Sequence, residues 1–182
     1  MRFAPTRIPD VVVEEPEVFE DDRGFFMETW HRDAFEAAGI DAQFVQDNYS
    51  RSSRATLRGM HYQVQQPQGK LIRVVVGEAF DVAVDLRRSS PSFGQWVGAT
   101  LSAANRRSIW IPPGFAHGYV VTGDSAEMIY RCTDYYAPQH ERTLLWNDQD
   151  VAIEWPLDDI KQPILSTKDA GGSLLKDAEV YA

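Results

Sequence analysis

The sequence holds a single cysteine, Cys132, among its 182 residues. No internal disulfide can form and no cysteine-built metal cluster is available, which fits a reducing compartment. Long apolar runs are missing as well. Nothing approaches the ~18 consecutive apolar residues of a membrane helix, and the opening MRFAPTRIPDVVVEEP lacks the apolar stretch of a signal peptide. A soluble, cytoplasmic protein with no membrane partner is expected. Positive charge is in deficit, the net charge being −9. Nucleic acid, which calls for a basic face, is therefore not an expected partner, and an anionic ligand must be met by a local group of cations. Internal repeats and low-complexity tracts are also absent.

What is present is 43% hydrophobic and 12% aromatic content, enough for one full core in 182 residues but cramped for two. A single domain over residues 1–182 is expected. Between Val11 and Ile164 the chain falls into short alternating or β-branched runs, parted by Gly, Pro, Asp, Asn and Ser. They include VVVEEPEVF, GFFMETW, AQFVQDNYS, TLRGMHYQ, KLIRVVVGEAFDVAVDL, WVGATL, SIWIPP, HGYVVT and AEMIYRCTDYY. This is the pattern of an all-β antiparallel sandwich or barrel. Its core is expected over about 43–136, with one short helix over 32–38 in RDAFEAAGI that Gly39 is placed to end. The tail, 157–182, reads as loop with a short helix.

Alternation assigns faces. In KLIRVVVG, Lys70, Ile72, Val74 and Val76 point one way. In EAFDVAVDL, Phe80, Val82, Val84 and Leu86 form an apolar set opposite Asp81, Ala83 and Asp85. Arg58 and His61 in LRGMHYQ belong on opposite faces of a regular strand, but Gly59 lies between them. A glycine inside a strand often marks a bulge, which would bring both side chains to one side; the two then face either solvent or a polar cavity.

A second histidine stands in WIPPGFAHGY, where Pro112, Gly114 and His117 reproduce the P-x-G-x-x-H turn that carries a histidine to the mouth of a cupin barrel. A histidine merely hydrogen-bonded at a strand start is the competing account. A metal-binding cupin would add an H-x-H pair, and the matching strand reads His61-Tyr62-Gln63. With the second imidazole missing, no metal is expected.

The ordered blocks DDRGFFMETW, FVQDNYS, LRGMHYQ, QGKLIRVVVGEAFDVAVDLR, SPSFGQWVGATLS, LWNDQDVAIEWP and LSTKD cover most of the chain. In that order they resemble the cupin-type dTDP-4-dehydrorhamnose 3,5-epimerase family. The resemblance implies a dTDP-sugar substrate with a ketone at C4, inversion at C3 and C5 by proton removal and return, and no cofactor. It makes His61 the base, Asp169 its carboxylate partner, Lys70 the cation that stabilises the enolate oxygen and Tyr130 the proton donor on the other face. It assigns Arg23, Arg58 and Lys168 to the diphosphate, Tyr136 to stacking on thymine, and Glu28, Gln46, Asn48, His117 and Glu141 to the rest of the binding site. It further implies a homodimer in which the N-terminal strands, residues 1–31, pack on the partner, so that Arg23 and Glu28 serve the neighbouring site.

Taken separately, each arginine would be a solvated surface residue, Lys70 a strand-end lysine and Tyr130 a core tyrosine. Two other functions share the scaffold: a single-centre epimerase of C3 or C5 on a related dTDP-4-keto-6-deoxy sugar, and a non-catalytic or metal-using cupin.

Overall fold

The computed structural model describes residues 1–157 and 160–182; of the expected tail, residues 158 and 159 lie outside the described residues. The strands are β1 (Arg2–Pro5), β2 (Val12–Glu15), β3 (Val18–Asp21), β4 (Gly24–Met27), β5 (Gln46–Ser53), β6 (Leu57–Gln63), β7 (Lys70–Asp85), β8 (Trp96–Ser102), β9 (Ser108–Ile111), β10 (Phe115–Cys132) and β11 (Glu141–Thr143). The helices are α1 (Arg32–Ala37) and α2 (Thr167–Ala170). Every pairing between these strands is antiparallel.

The two longest strands organise the rest. β7 and β10 pair from Lys70↔Cys132 to Asp85↔Phe115, and each changes its outer neighbour midway. The first half of β7 pairs with β9 and the second half with β8, while β10 pairs with β6 first and β5 later. The result is two sheets that share their central strands: β1-β2-β9-β7-β10-β5 and β8-β7-β10-β6-β11. This is the jelly-roll sandwich of the cupin type.

The bend between the sheets falls where the β7–β10 register shifts, between Val121 and Ala126. Gly77 makes that bend feasible. Its φ is +75°, and a Cβ there would sit 1.7 Å from the Ser125 carbonyl oxygen, so a larger residue would push the strands apart. The bend also reverses which side chains face inwards. Ile72 and Val74 lie in the inter-sheet core with Ala79 and Ala83, whereas Val82, Val84 and Leu86 pack on the outer face beneath the C-terminal segment. The more apolar set of EAFDVAVDL therefore points out of the sandwich, and Asp81 points in.

Local chemistry explains the smaller elements. α1 stops at Ala38 and Gly39 follows at φ +82°, as the sequence predicts. Its Phe35 joins Leu71 and Trp110 to cover the outer face of the first sheet. The run VVVEEPEVF is split, because Pro16 has no N–H to offer a ladder: β2 pairs with β9, and β3 turns into a hairpin with β4. HGYVVT and AEMIYRCTDYY, separate in the sequence reading, join in β10, which ends at Cys132 instead of Tyr136.

Asp85, at the end of β7, is fully buried and gathers the following loop. It accepts from the Arg87 guanidinium at 2.7 and 2.9 Å, from Ser90 Oγ at 2.6 Å and from Ser92 Oγ at 2.7 Å. Burial alone would raise its carboxyl, but the donors from Arg87, Ser90 and Ser92 outweigh burial and hold it down at about 2. A carboxyl lowered in the folded state stabilises fully above its unfolded value, near pH ~4, and that support is lost as pH falls towards about 2. Asp85→Asn is expected to cost about 3–5 kcal/mol, since it leaves Arg87 without its buried partner. Denaturant unfolding at pH 7 reads the loss, and the difference from the parent should shrink on acidification through that window.

Candidate active site

At one end of the sandwich the two sheets part around a cavity of about 350 Å³, within the range of small-molecule sites. Alternation on β5 sends Gln46, Asn48 and Ser50 into it. The first sheet also supplies Lys70 from the start of β7 and Tyr130 from late β10. The second supplies His117 and Tyr119 from early β10 and Arg58 and His61 from β6. Tyr136, Glu141 and Lys168 close the rim.

β6 delivers both Arg58 and His61 because it is bulged. His117 pairs with His61 and Tyr119 with Arg58, so three steps on β6 oppose two on β10. Gly59, at φ +131°, takes up the extra residue. A Cβ on it would lie 2.5 Å from Gly118 Cα, so glycine is required where the strands touch.

Behind His61 stands Asp169, 3% exposed and carried by the first turn of α2. His61 Nε2 lies 2.6 Å from Asp169 Oδ1. Ser166, the N-cap, donates to Asp169 Oδ2 at 2.7 Å and accepts from the Asp169 amide at 3.1 Å, while the Gly59 amide donates to Oδ1 at 3.3 Å. Burial would raise this carboxyl, but the hydrogen bonds from His61 and Ser166 prevail and pull it down to about 2. An ionised carboxylate only accepts, so Nε2 carries the proton and Nδ1 keeps the basic lone pair.

Lys70 is 9% exposed. Burial lowers its ammonium below the usual lysine range, while nearby Cys132, Asp81 and Glu141 pull it back up. A second imidazole–carboxylate pair sits beside the first: His117 Nε2 is 2.9 Å from Oδ2 of the fully buried Asp81, whose own carboxyl burial raises. The Tyr130 hydroxyl is raised mainly by burial and stays protonated at neutral pH. Arg58 donates to Ser52 Oγ at 3.0 Å, and that hydroxyl lies 3.2 Å from Tyr119 Oη. Glu141 accepts from Lys168 Nζ at 2.9 Å and from Tyr136 Oη at 3.0 Å. The wall therefore offers a base, a desolvated cation, a protonated phenol and a cationic rim.

Two residues of the expected site lie elsewhere. Arg23 is in the β3–β4 turn, exposed and paired with Asp21, and Glu28 follows the same hairpin in solvent. The hairpin is a sheet of its own, which is why neither side chain reaches this chain's cavity. Among the described residues, no group of three or more His, Cys, Asp or Glu side chains could hold a metal ion. Sequence reasoning missed Asp81, Ser166, Tyr119, Gln63 and Gln68. Asp81 had a signal, an acid in an alternating strand run, and so had Ser166, which with Asp169 three residues on makes the Ser-x-x-Asp of a helix start; the rest had none.

Fold and site together define a cupin-type sandwich equipped for acid–base chemistry on a bound small molecule. Residues 5–177 match the family described as dTDP-4-dehydrorhamnose 3,5-epimerase. The chain belongs to that family. It is 56% identical over 182 residues to the dTDP-4-dehydrorhamnose 3,5-epimerase of Pseudomonas aeruginosa, covering 100% of this chain and 99% of that one. The dTDP-6-deoxy-D-glucose-3,5-epimerase of Legionella pneumophila, solved with dTDP-4-keto-L-rhamnose, superimposes with a TM-score of 0.94 at 49% identity, over 98% of this chain and 94% of that one. A 3'-monoepimerase of Streptomyces bikiniensis, in complex with dTDP-quinovose, gives 0.88 at 33% identity, over 94% and 87%.

Proposed function

We infer that this chain inverts C3 and C5 of dTDP-4-dehydro-6-deoxy-D-glucose, yielding dTDP-4-dehydro-L-rhamnose. The observation that carries the reading is the meeting, in one cavity, of the Asp169-backed His61 from one sheet and the desolvated Lys70 from the other. A C–H beside a ketone is a weak acid. His61 Nδ1 takes the proton, the electron pair moves onto the C4 oxygen, and the Lys70 ammonium stabilises the enolate. Tyr130 Oη returns a proton to the opposite face of the carbon, and solvent resets both groups. Repeating the cycle at the second carbon completes the reaction without any net redox change.

At the nucleotide end, Arg58 and Lys168 meet the diphosphate and the Tyr136 ring faces thymine; His117 touches the sugar, and Gln46, Asn48 and Glu141 line the rest of the site. The whole chain works as one unit, since the tail provides Asp169. A C2 homodimer completes the site. The β3–β4 hairpin exposes Phe19, Phe25 and Phe26 at 56, 57 and 67%, and on a partner these rings would be covered while Arg23 and Glu28 reach the neighbouring cavity. Free Cys132 fits the cytoplasm.

The test is incubation with dTDP-4-keto-6-deoxyglucose in heavy water, followed by NMR. Deuterium is expected at both C3 and C5. Label at one carbon alone would make this a single-centre epimerase, and none at either would reject epimerisation.

A further inference from the structure

The segment Thr133–Ala137 leaves the end of β10 and carries Tyr136, yet it belongs to no strand. Its backbone is fastened largely by side-chain amides. Gln46 Oε1 accepts from the Tyr136 amide at 2.9 Å. Gln63 Oε1 accepts from the Ala137 amide at 2.9 Å, and its Nε2 donates to the Tyr135 carbonyl at 3.2 Å and to the Gln66 carbonyl at 2.7 Å. Gln68 Nε2 donates to the Asp134 carbonyl at 2.8 Å. Three glutamines, from β5, β6 and the β6–β7 connection, thus hold one segment.

Gln63 is the centre of this arrangement. At 4% exposure it uses both N–H donors and one carbonyl lone pair, bridging the β6–β7 connection to the Tyr136 segment. Glu141, its register partner on β11, holds the Tyr136 hydroxyl. The ring itself is half exposed, at 51%, and faces the cavity rim. A loop free to move would have to be ordered each time a ligand binds, and that ordering subtracts from affinity. Neutral amides fix it in advance, with no dependence on pH.

We propose that Gln63 and Gln68 are positioning residues for nucleobase recognition, holding residues 134–137 so that the Tyr136 ring stands ready as a flat face before dTDP arrives. This rests on the reading of Tyr136 as the thymine platform. It separates two tasks within the site: His61 and Lys70 carry the proton chemistry, while Gln63 and Gln68 act on affinity.

The experiment uses Gln63→Met and Gln68→Met, which keep side-chain length and remove the hydrogen bonds. dTDP is titrated calorimetrically into the full-length protein, and kcat and KM are measured on the dTDP-4-keto sugar. Kd for dTDP is expected to rise about tenfold in Gln63→Met and about threefold in Gln68→Met, in line with three bonds lost against one. The loss should appear in KM, with kcat within about threefold of the parent. Kd values within about twofold of the parent in both variants, or a loss confined to kcat, would overturn the proposal. Should Gln63→Met fail to fold, Gln68→Met decides alone, because it removes a single bond at a half-buried position. A parent protein that took up no deuterium would sink the epimerase reading, while the dTDP titrations would still judge the glutamines.

Discussion

His61→Ala is expected to lower deuterium uptake at both C3 and C5 by on the order of 10²–10⁴, the range that a positioned general base contributes. dTDP should still bind with near-parental affinity, because His61 sits at the sugar end and the Tyr136 rim is untouched. The variant should also fold. Asp169 loses its imidazole but keeps the Ser166 hydroxyl and the Gly59 amide, so the buried carboxylate is not left bare. Near-normal exchange in the variant would mean that another group takes the proton. Equal loss at both carbons is part of the expectation, because one imidazole with one free Nδ1 serves both. Loss at a single carbon would require a second base, and His117 would be the residue to replace next.

Lys70→Met should lower kcat by on the order of 10²–10³, the usual consequence of removing one group that stabilises a developing oxyanion. The parent protein offers a matching pH signature. The ammonium is the active form, and burial has lowered its pKa. As pH rises through that lowered value the charge is lost, so kcat should decline below the ordinary lysine range near ~10.4. Asp81 and Glu141 act in the opposite sense and favour the charged form. A kcat profile that stays flat until an unperturbed lysine would titrate would place Lys70 in solvent and remove it from the reaction.

Much of the architecture was readable in the sequence because period-two alternation and turn residues are local signals. The helix ending at Gly39 and the bulge at Gly59 were both legible from one glycine and its neighbours. What escaped depends on distance in the chain. The reversal of facing at Gly77 needs the Ser125 carbonyl opposite it, so the fate of Val82 and Val84 could not be read from their own run. The meeting of His61 with Asp169 joins residues 108 apart, and only the order of matched blocks pointed to it. Gln63 and Gln68 were invisible for another reason: an amide that fastens a loop looks, in sequence, like any polar residue at a strand end. Arg23 and Glu28 lie on a hairpin that forms a sheet of its own, and nothing in their local run separates a cavity residue from one facing solvent.

The sharing of β7 and β10 between both sheets carries a mechanical consequence. Walls built from the same continuous backbone cannot swing apart like jaws, for no hinge line runs between them. The floor where protons move is therefore held at a fixed spacing, and only side chains around the opening are left to make way for substrate and product.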